Sequence, residues 1–390
     1  MTRWTRLLLW GAVGAAVTGG AGCAAITRPP ATVASLQLDA APLAARDRML
    51  RDSVIARLVR RVERRGDRTL DLLLLSGGGQ NGAFGAGFLR GWRSRTDAPM
   101  PTFDLVSGIS TGALQAPFAL MGTPEALDTV SALYARSATT FAPTIDWWFW
   151  ARPTGGLVKT DRYERTLASA LGQYDGPLRQ AFREDRQLLT ATTDFDLGIG
   201  RLWSLGDEPL DGGRWVRLLR AATAIPAVIP PVIIDGHVHA DGGVVENVLG
   251  VLTFEDYQAL GKALEARGVR DVQLRVWVVM NIWTHAPPQA LRPSSRRQLD
   301  GRSTALLFYL HQSATLAGLS NLARAVSEQV PGMRMDLRMA LLPSGESLVP
   351  GAQKLFDQRF MQRLDSIGFA KARSAMPWDV VPSAYVRPSP

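Results

Sequence analysis

The strongest constraint on the fold is a leucine-rich run that ends in three consecutive glycines. Residues 70–75 read Leu-Asp-Leu-Leu-Leu-Leu, and Gly77, Gly78 and Gly79 follow after one serine. A short, nearly continuous apolar run is typical of a strand that is buried on both faces, as in a parallel sheet. A helical stretch over residues 84–92 comes next. The pattern therefore predicts a strand, a glycine turn and a helix in succession.

The same alternation continues along the chain and predicts the fold class. Further strand candidates lie at residues 103–107, 188–193, 232–234 and 274–280. A helix begins near residue 113, and further helical segments occur near residues 126–138, 161–171, 253–267 and 301–329. Strands that alternate with helices predict an α/β fold, in which a mostly parallel central sheet has helices on both faces.

Composition excludes several classes of protein. Hydrophobic residues make up 46% of the 390 residues and charged residues 20%, so the chain is neither disordered throughout nor fibrous. A single cysteine excludes a disulfide framework and a cysteine-rich zinc site. Only four histidines are available to any mechanism that needs one.

The N-terminus has the layout of an export signal. Basic residues precede an uncharged apolar run over residues 7–17, and small residues then lead to Cys23. This order is typical of a secretory signal peptide. The small residues before Cys23 resemble a bacterial lipobox, although Gly20 stands where the lipobox has an aliphatic residue. The resemblance implies that residues 1–22 are removed, that Cys23 carries lipid, and that the protein is anchored at the periplasmic face of the outer membrane.

The remaining chain divides by composition into four parts. We expect a tether after the cysteine, a helix, a catalytic domain, and a C-terminal helix with a Pro-rich tail, over residues 23–42, 43–69, 70–345 and 346–390. Residues 46–68 hold nine arginines and four acidic residues. We interpret this as a packed helix with a solvated basic face, in preference to a helix that leans on anionic lipid.

The pentapeptide Gly108-Ile109-Ser110-Thr111-Gly112 lies between a strand candidate and a helix. Gly-x-Ser-x-Gly in this context is the pattern of a nucleophile elbow. The turn is so tight that the positions two before and two after the serine have no room for side chains. Ser110 would then sit clear of the sheet, at a helix N-terminus that stabilises negative charge.

The glycine run after the first strand admits two interpretations. Its backbone N–H groups are suited to hold a developing oxyanion, because no Cβ stands in the way. Gly77, Gly79 and Gly82 also satisfy the dinucleotide-binding pattern Gly-x-Gly-x-x-Gly. That pattern needs an acidic residue at the end of the next strand, whereas Asp104 begins one, so we favour the oxyanion interpretation.

A carboxylate is available as a partner for the serine. Asp241 is followed by Gly242 and Gly243, and it comes shortly after a strand candidate. An aspartate has an ordinary pKa of about 3.9 and is a weak base in water, but an apolar pocket raises that pKa. A buried Asp241 is therefore a candidate general base for Ser110.

Together and in this order, the three motifs resemble those of the patatin-like phospholipase family. The segment Ala-Ala-Thr-Ala-Ile-Pro at residues 221–226 is also similar to the family, and the resemblance covers roughly residues 71–282. It implies a three-layer patatin-like fold and a Ser–Asp dyad, with Ser110 as nucleophile and Asp241 as base. It also implies that the oxyanion N–H groups come from Gly77, Gly78 and Gly79.

The glycine loop departs from the family at two positions. Ser76 stands where the family has aspartate, and Asn81 stands where it has arginine. The lost arginine puts the rate and the head-group preference in doubt, but the backbone donors remain. It also motivates a second hypothesis, in which the protein is an envelope-associated lipid binder with weak or no turnover.

Two other arrangements are compatible with the sequence. An α/β-hydrolase triad would use Ser110, then an aspartate (Asp194 or Asp241), then a histidine (His285 or His311). A metal site would use His237, His239 and Asp241, because alternate positions of a strand share one face.

We therefore expect a serine hydrolase that cleaves lipid ester bonds and needs no cofactor and no metal. The expected partners are the membrane lipid substrate and the membrane surface that the N-terminal lipid reaches, and no nucleic acid. The motifs leave the acyl position, the chain length and the lipid class open.

Overall fold

The computed structural model describes residues 28, 30–137, 139–140, 144–147, 154–209, 213–352, 354 and 356–380. The predicted signal sequence and Cys23 lie outside these ranges, and their roles stay predictions. None of the helices in the described ranges is both long enough and apolar enough to cross a bilayer.

The described ranges contain ten strands and ten helices. The strands are β1 (Thr69–Leu75), β2 (Leu105–Gly108), β3 (Thr144–Ile145), β4 (Val158–Lys159), β5 (Gln187–Asp194), β6 (Ile199–Ser204), β7 (Val232–Ile234), β8 (His237–Asp241), β9 (Val272–Met280) and β10 (Met333–Leu341). The helices are α1 (Val33–Arg65), α2 (Gly82–Arg93), α3 (Thr111–Met121), α4 (Pro124–Ala135), α5 (Asp161–Gly172), α6 (Asp175–Arg183), α7 (Arg214–Ala222), α8 (Phe254–Glu265), α9 (Arg296–Gln329) and α10 (Gln358–Ala372).

Eight strands form one mixed, mostly parallel sheet, which confirms the α/β class. Its order is β10-β9-β1-β2-β5-β8-β7, and β6 pairs separately with β5. The pairs from β10 to β5 are all parallel, whereas β6 and β8 run antiparallel to β5. The two remaining strands, β3 and β4, pair antiparallel in a small separate sheet.

Alternate side chains of β1 enter two different cores. Leu73 and Leu75 pack into the core that contains residues of α2, α3, α4 and α7, whereas Leu70, Leu72 and Leu74 pack into the core that contains residues of α1, α8 and α9. Because side chains of a strand alternate between its faces, these cores lie on opposite sides of the sheet. The sheet is therefore covered by helices on both faces, as predicted.

The predicted tether over residues 23–42 is wrong for residues 33–42, which are helical. Helix α1 begins at Val33, where the Thr32 side chain accepts from the Ser35 N–H in a capping box, and it continues through Pro42 to Arg65. The Ala-rich segment has high helix propensity, and the cap satisfies N–H groups at the helix start. The predicted start at residue 43 is therefore ten residues late.

The arginines of α1 pair with carboxylates of the main domain. Arg61 and Arg65 contact Asp104 at 2.7 and 2.9 Å, and Arg60 and Arg64 contact Asp185 at 2.9 and 2.6 Å. The apolar stripe of the helix is buried in the core. The interpretation as a packed helix therefore agrees with the structure.

The C-terminal helix belongs to the main domain. A Cβ added at Gly87 of α2 would come within 2.0 Å of the Asp365 carbonyl oxygen of α10, and one added at Gly368 would come within 2.1 Å of the Phe84 carbonyl oxygen. The two backbones are thus in direct contact. The predicted domain boundary at residue 345 is wrong, because α10 fills part of the core around α2.

This contact predicts opposite effects for two kinds of glycine substitution. Gly87→Ala and Gly368→Ala force the helices apart, and we expect each to lower the free energy of unfolding by about 1–3 kcal/mol. Gly318→Ala in α9, where an added Cβ meets no atom within 4 Å, should instead stabilise the protein by about 0.5–1 kcal/mol. Urea denaturation of the three variants checks this, and equal effects would contradict the close packing.

Candidate active site

Ser110 lies on a strained turn between β2 and α3. Its φ of 51° and ψ of −122° lie outside the regions that side-chain-bearing residues favour. A Cβ on Gly108 would approach the Gly112 carbonyl oxygen to 2.3 Å, and one on Gly112 would approach the Leu75 carbonyl oxygen to 2.2 Å. The flanking glycines are therefore sterically required, as the elbow pattern predicts. Such a backbone conformation costs about 1–3 kcal/mol, which the surrounding packing must offset.

The hydroxyl of Ser110 donates a hydrogen bond of 2.5 Å to Asp241 Oδ2. The sheet explains this contact between residues that are 131 positions apart. Strand β2 pairs with β5 up to Gly108 opposite Thr190, and β8 pairs with β5 up to Asp241 opposite Thr192. Because β6 occupies the other edge of β5, β2 and β8 share one edge and point their C-terminal ends at each other.

Asp241 is a carboxylate in an almost dry environment. Only 5% of its surface is exposed, and burial raises its pKa to about 6 from the usual 3.8. Hydrogen bonds from the Ser110 hydroxyl and from the Gly243 N–H, which donates to Oδ1 at 2.8 Å, oppose that rise in the pKa. The group is thus ionised at neutral pH but is a better proton acceptor than an aspartate in water.

The glycine loop lies beside the serine, but its donors differ from the prediction. The Gly77 N–H donates to the Asn247 carbonyl oxygen at 3.1 Å, so Gly77 is not available to an oxyanion. Its lack of a side chain is still required, since a Cβ there would lie 2.2 Å from Asn247 Oδ1. The described part of the chain provides no acceptor for the N–H groups of Gly78, Gly79 and Thr111.

Thr111 is a donor candidate that the sequence analysis missed. It follows Ser110 at the first position of α3, where backbone N–H groups lack partners within the helix. In Gly-x-Ser-x-Gly elbows, the N–H of the residue after the nucleophile serves the oxyanion. The elbow pattern itself was therefore the signal that could have identified Thr111.

Two asparagines hold the loop in place, and the sequence analysis missed both. Asn281 donates its backbone N–H to Ser76 Oγ at 2.7 Å and its side-chain amide to the Ser76 carbonyl oxygen at 2.8 Å. Asn247 holds Gly77 and donates its amide to Gln312 Oε1 at 2.8 Å. Asn281 directly follows a strand candidate, which was a usable signal, because carboxyl ends of parallel strands meet at one edge.

Ser76 and Asn81, the two loop residues that differ from the family's pattern, have different surroundings. Ser76 accepts from Asn281 and donates to the Gly77 carbonyl oxygen at 2.8 Å, so it stiffens the loop. Asn81 is buried, and no partner is recorded for its Oδ1 among the described residues. The backbone N–H groups of the loop are unaffected by either change.

Two cavities meet at Ser110. The first, of about 40 Å³, has a mostly apolar wall area, to which Leu114, Ile225, Ile229 and Phe356 contribute beside the hydroxyl-bearing residues Thr160, Tyr163 and Thr223. The second, of about 470 Å³, contains Asp241 and is lined by Val244, Ile282 and Phe308 among others. Ser110, Gly79 and Ile225 belong to both. The serine thus stands between two apolar spaces, an arrangement that suits a substrate with apolar parts on either side of its reacting centre.

The contacts that the four histidines make in the described part of the chain are with residues other than the serine. His285 contacts the hydroxyl of its neighbour Thr284 at 2.9 Å, and His311 lies exposed on α9. His239 Nδ1 lies 2.8 Å from Thr192 Oγ1, and burial lowers the pKa of His239 to about 4. Among the described residues, no histidine hydrogen-bonds to Ser110 or Asp241. The triad alternative therefore lacks its central contact.

The three residues of the alternative metal site do not converge either. Asp241 faces Ser110, whereas His237 Nδ1 lies 3.0 Å from Asp194 Oδ2. The described residues contain one group with metal-ligand spacing, formed by Asp194, Asp196 and His237. Cationic side chains already face this group, because Arg28 contacts Asp196 and Arg201 lies 3.8 Å from Asp194.

Ser110 has a strained backbone and donates a hydrogen bond to a buried carboxylate. It also lies next to backbone N–H groups that have no acceptor among the described residues. This combination is typical of the active site of a serine hydrolase. Residues 73–249 match the family model described as patatin-like phospholipase. The match covers just under half of the chain, and over these residues the chain is similar to the patatin-like phospholipase domain.

Among solved structures, the chain is similar to VipD from Legionella pneumophila. The two are 12% identical and superpose with a TM-score of 0.33, over 78% of this chain and 66% of VipD. The match thus spans slightly less than two thirds of that protein. No curated protein matches the sequence.

Burial of Asp241 predicts that its replacement stabilises the fold. The rise in its pKa from 3.8 to about 6 corresponds to about 3 kcal/mol at neutral pH. Asp241→Asn removes the charge, so we expect a higher free energy of unfolding at pH 7. The gain should shrink as the pH falls through 6 towards 4, because Asp241 becomes neutral in the folded protein first. Urea denaturation at both pH values measures this, and no gain at neutral pH would contradict it.

Proposed function

We propose that the protein hydrolyses acyl-ester bonds of lipids, with Ser110 as the nucleophile and Asp241 as the general base. The observation that carries the proposal is the 2.5 Å hydrogen bond between these two side chains inside an apolar cavity. The similarity to the patatin-like phospholipase domain supports lipid esters as the substrate class.

In the first step, Ser110 Oγ attacks the ester carbonyl carbon while its proton moves to Asp241 Oδ2. The carbonyl oxygen then carries negative charge, which the N–H groups of Gly78, Gly79 and Thr111 are placed to stabilise. Each such donor contributes about 2.7–4 kcal/mol in enzymes where it has been removed. The tetrahedral intermediate expels the alcohol, which takes the proton from Asp241, and an acyl-serine remains.

In the second step, water cleaves the acyl-serine. Asp241 accepts a proton from the water, the resulting hydroxide attacks the acyl carbon, and the proton returns to Ser110 as the carboxylic acid leaves. The same carboxylate thus acts as base and acid in both halves, and the reaction needs no cofactor. The Gly243 N–H, which donates to Oδ1, keeps Oδ2 turned towards the serine.

The cavities indicate how a lipid would lie. The smaller cavity, lined by Leu114, Ile229 and Phe356 among others, has a mostly apolar wall area and would hold the part of an acyl chain next to the ester. The larger one is open to the surface at Val244 and Phe308, which are 52% and 39% exposed. It would hold the remainder of the lipid.

We further propose that lipid on Cys23 anchors the enzyme at the periplasmic face of the outer membrane. The support is the lipobox-like segment in the sequence. Tethering would raise the effective concentration of the phospholipid substrate. Palmitate labelling of cells that express the protein or its Cys23→Ser variant tests the anchor.

Substitutions at the dyad separate this mechanism from a triad. We expect Ser110→Ala to lose p-nitrophenyl ester hydrolysis and fluorophosphonate labelling, and Asp241→Asn to lower hydrolysis by about a hundredfold or more, as removal of a general base does. His285→Ala should retain activity, since His285 contacts neither residue. Retained folding is checked by circular dichroism. An inactive His285→Ala together with an active Asp241→Asn would reject the dyad.

The pKa of Asp241 predicts the acid limb of the pH profile. The ionised carboxylate is the active form, and burial raises its pKa to about 6. We therefore expect kcat/KM for a soluble ester to fall about tenfold per pH unit below pH 6 and to be level just above it. A profile that falls only below pH 4 would mean that the base is a carboxylate with an ordinary pKa.

A further inference from the structure

The first half of α9 has an exposed apolar surface. Over residues 296–311 none of the side chains is buried, and the buried positions of the helix begin at Gln312. Four leucines in this half are 43–71% exposed, namely Leu299, Leu306, Leu307 and Leu310. Single exposed leucines are ordinary, but a group of them on one element marks an interaction site.

These leucines lie on one side of the helix. Leu299, Leu306 and Leu310 are separated by seven and four residues, which are close to whole numbers of turns, and Leu307 is adjacent. Phe308 points to the other side of α9 and lines the cavity that contains Ser110. The same half-helix is therefore both a wall of the active-site cavity and an apolar surface beside it.

Arginines flank this surface without carboxylate partners. Arg292, Arg296, Arg297 and Arg302 form no salt bridge within the part of the chain that the structure describes. Asp300 is the one acidic residue of this half-helix. The arginines of α1 differ, because four of them are paired with aspartates of the domain. Basic side chains beside an apolar face are typical of helices that lie in the surface of an anionic bilayer.

The mouth of the cavity also has exposed apolar residues. Val244 and Phe308 both line the cavity, and both are partly exposed. Pro226 lines it as well and is exposed. Because Phe308 lies on the other side of α9 from the leucines, the leucine surface and this rim are separate apolar surfaces of the same half-helix.

We propose that the leucines and arginines in the first half of α9 form a docking surface for an anionic phospholipid bilayer, on the helix that also supplies a wall of the active-site cavity. The leucines enter the boundary between head groups and acyl chains, and the arginines contact lipid phosphates. The surface acts independently of a lipid anchor at Cys23. Its use in catalysis, though not the binding itself, rests on the proposed lipid hydrolase function.

The test measures binding of the full chain to vesicles. Cys23→Ser removes any anchor and Ser110→Ala prevents hydrolysis of the vesicles, so both changes are made in every protein used for binding. Vesicles of phosphatidylcholine with phosphatidylglycerol are compared with vesicles of phosphatidylcholine alone, by co-sedimentation. The test variant is Leu306→Glu/Leu307→Glu/Leu310→Glu. Met376→Glu is the matched control, because Met376 is 84% exposed and follows α10.

We expect the triple variant to bind anionic vesicles at least about tenfold more weakly, and Met376→Glu to bind like the parent. Arg296→Gln/Arg297→Gln should lose most of the preference for anionic vesicles. In protein that retains Ser110, the triple variant should hydrolyse a soluble p-nitrophenyl ester at the parent rate but act more slowly on vesicles.

Two results would overturn the docking surface. One is undiminished vesicle binding by the triple variant. The other is a parent dimer that dissociates in the triple variant during sedimentation velocity while vesicle binding is unchanged, because the leucines would then contact a second copy. Failure of the parent to hydrolyse any ester would instead refute the proposed function, and the binding result would stand.

Discussion

The meeting of two strand ends along one edge of β5 is the constraint on which the site depends. Strand β2 supplies the serine turn and β8 supplies the aspartate, and each stops within one residue of Ala191. A Cβ at Gly242 would come within 2.5 Å of the Ala191 carbonyl oxygen, so β8 could not end there with a larger residue. A register shift of one residue would turn Asp241 to the other face of the sheet.

The site is held at an energetic cost that the rest of the fold offsets. Ser110 has a strained backbone, and Asp241 is a carboxylate removed from water. Both residues take part in the proposed reaction. Backbone strain at Ser110 holds its hydroxyl clear of the turn, and desolvation of Asp241 makes its carboxylate a stronger base. Rigid neighbours supply the compensation, in particular the direct backbone contact between α2 and α10 and the clamp of Asn281 on the glycine loop.

The two long basic helices show that local composition does not decide what an arginine does. In α1 the arginines reach Asp104 and Asp185 and join the helix to the sheet. In the first half of α9 the arginines have no such partners among the described residues, and the leucines between them are exposed on the side of the helix away from Phe308. The same residue type therefore contributes to packing in one helix and, on our proposal, to lipid contact in the other.

The sequence by itself determined the α/β class and the strands that carry the motifs, and it predicted that Ser110 and Asp241 are partners, which the structure joins by a hydrogen bond of 2.5 Å. Those features depend on local patterns, namely apolar runs, turn glycines and their spacing. Only the tertiary structure decided that Gly77 is committed to Asn247, that Thr111 offers an N–H, and that α10 is part of the core. Hydrogen-bond partners and close backbone contacts are made between distant segments, and a one-dimensional pattern contains no information on which of them meet.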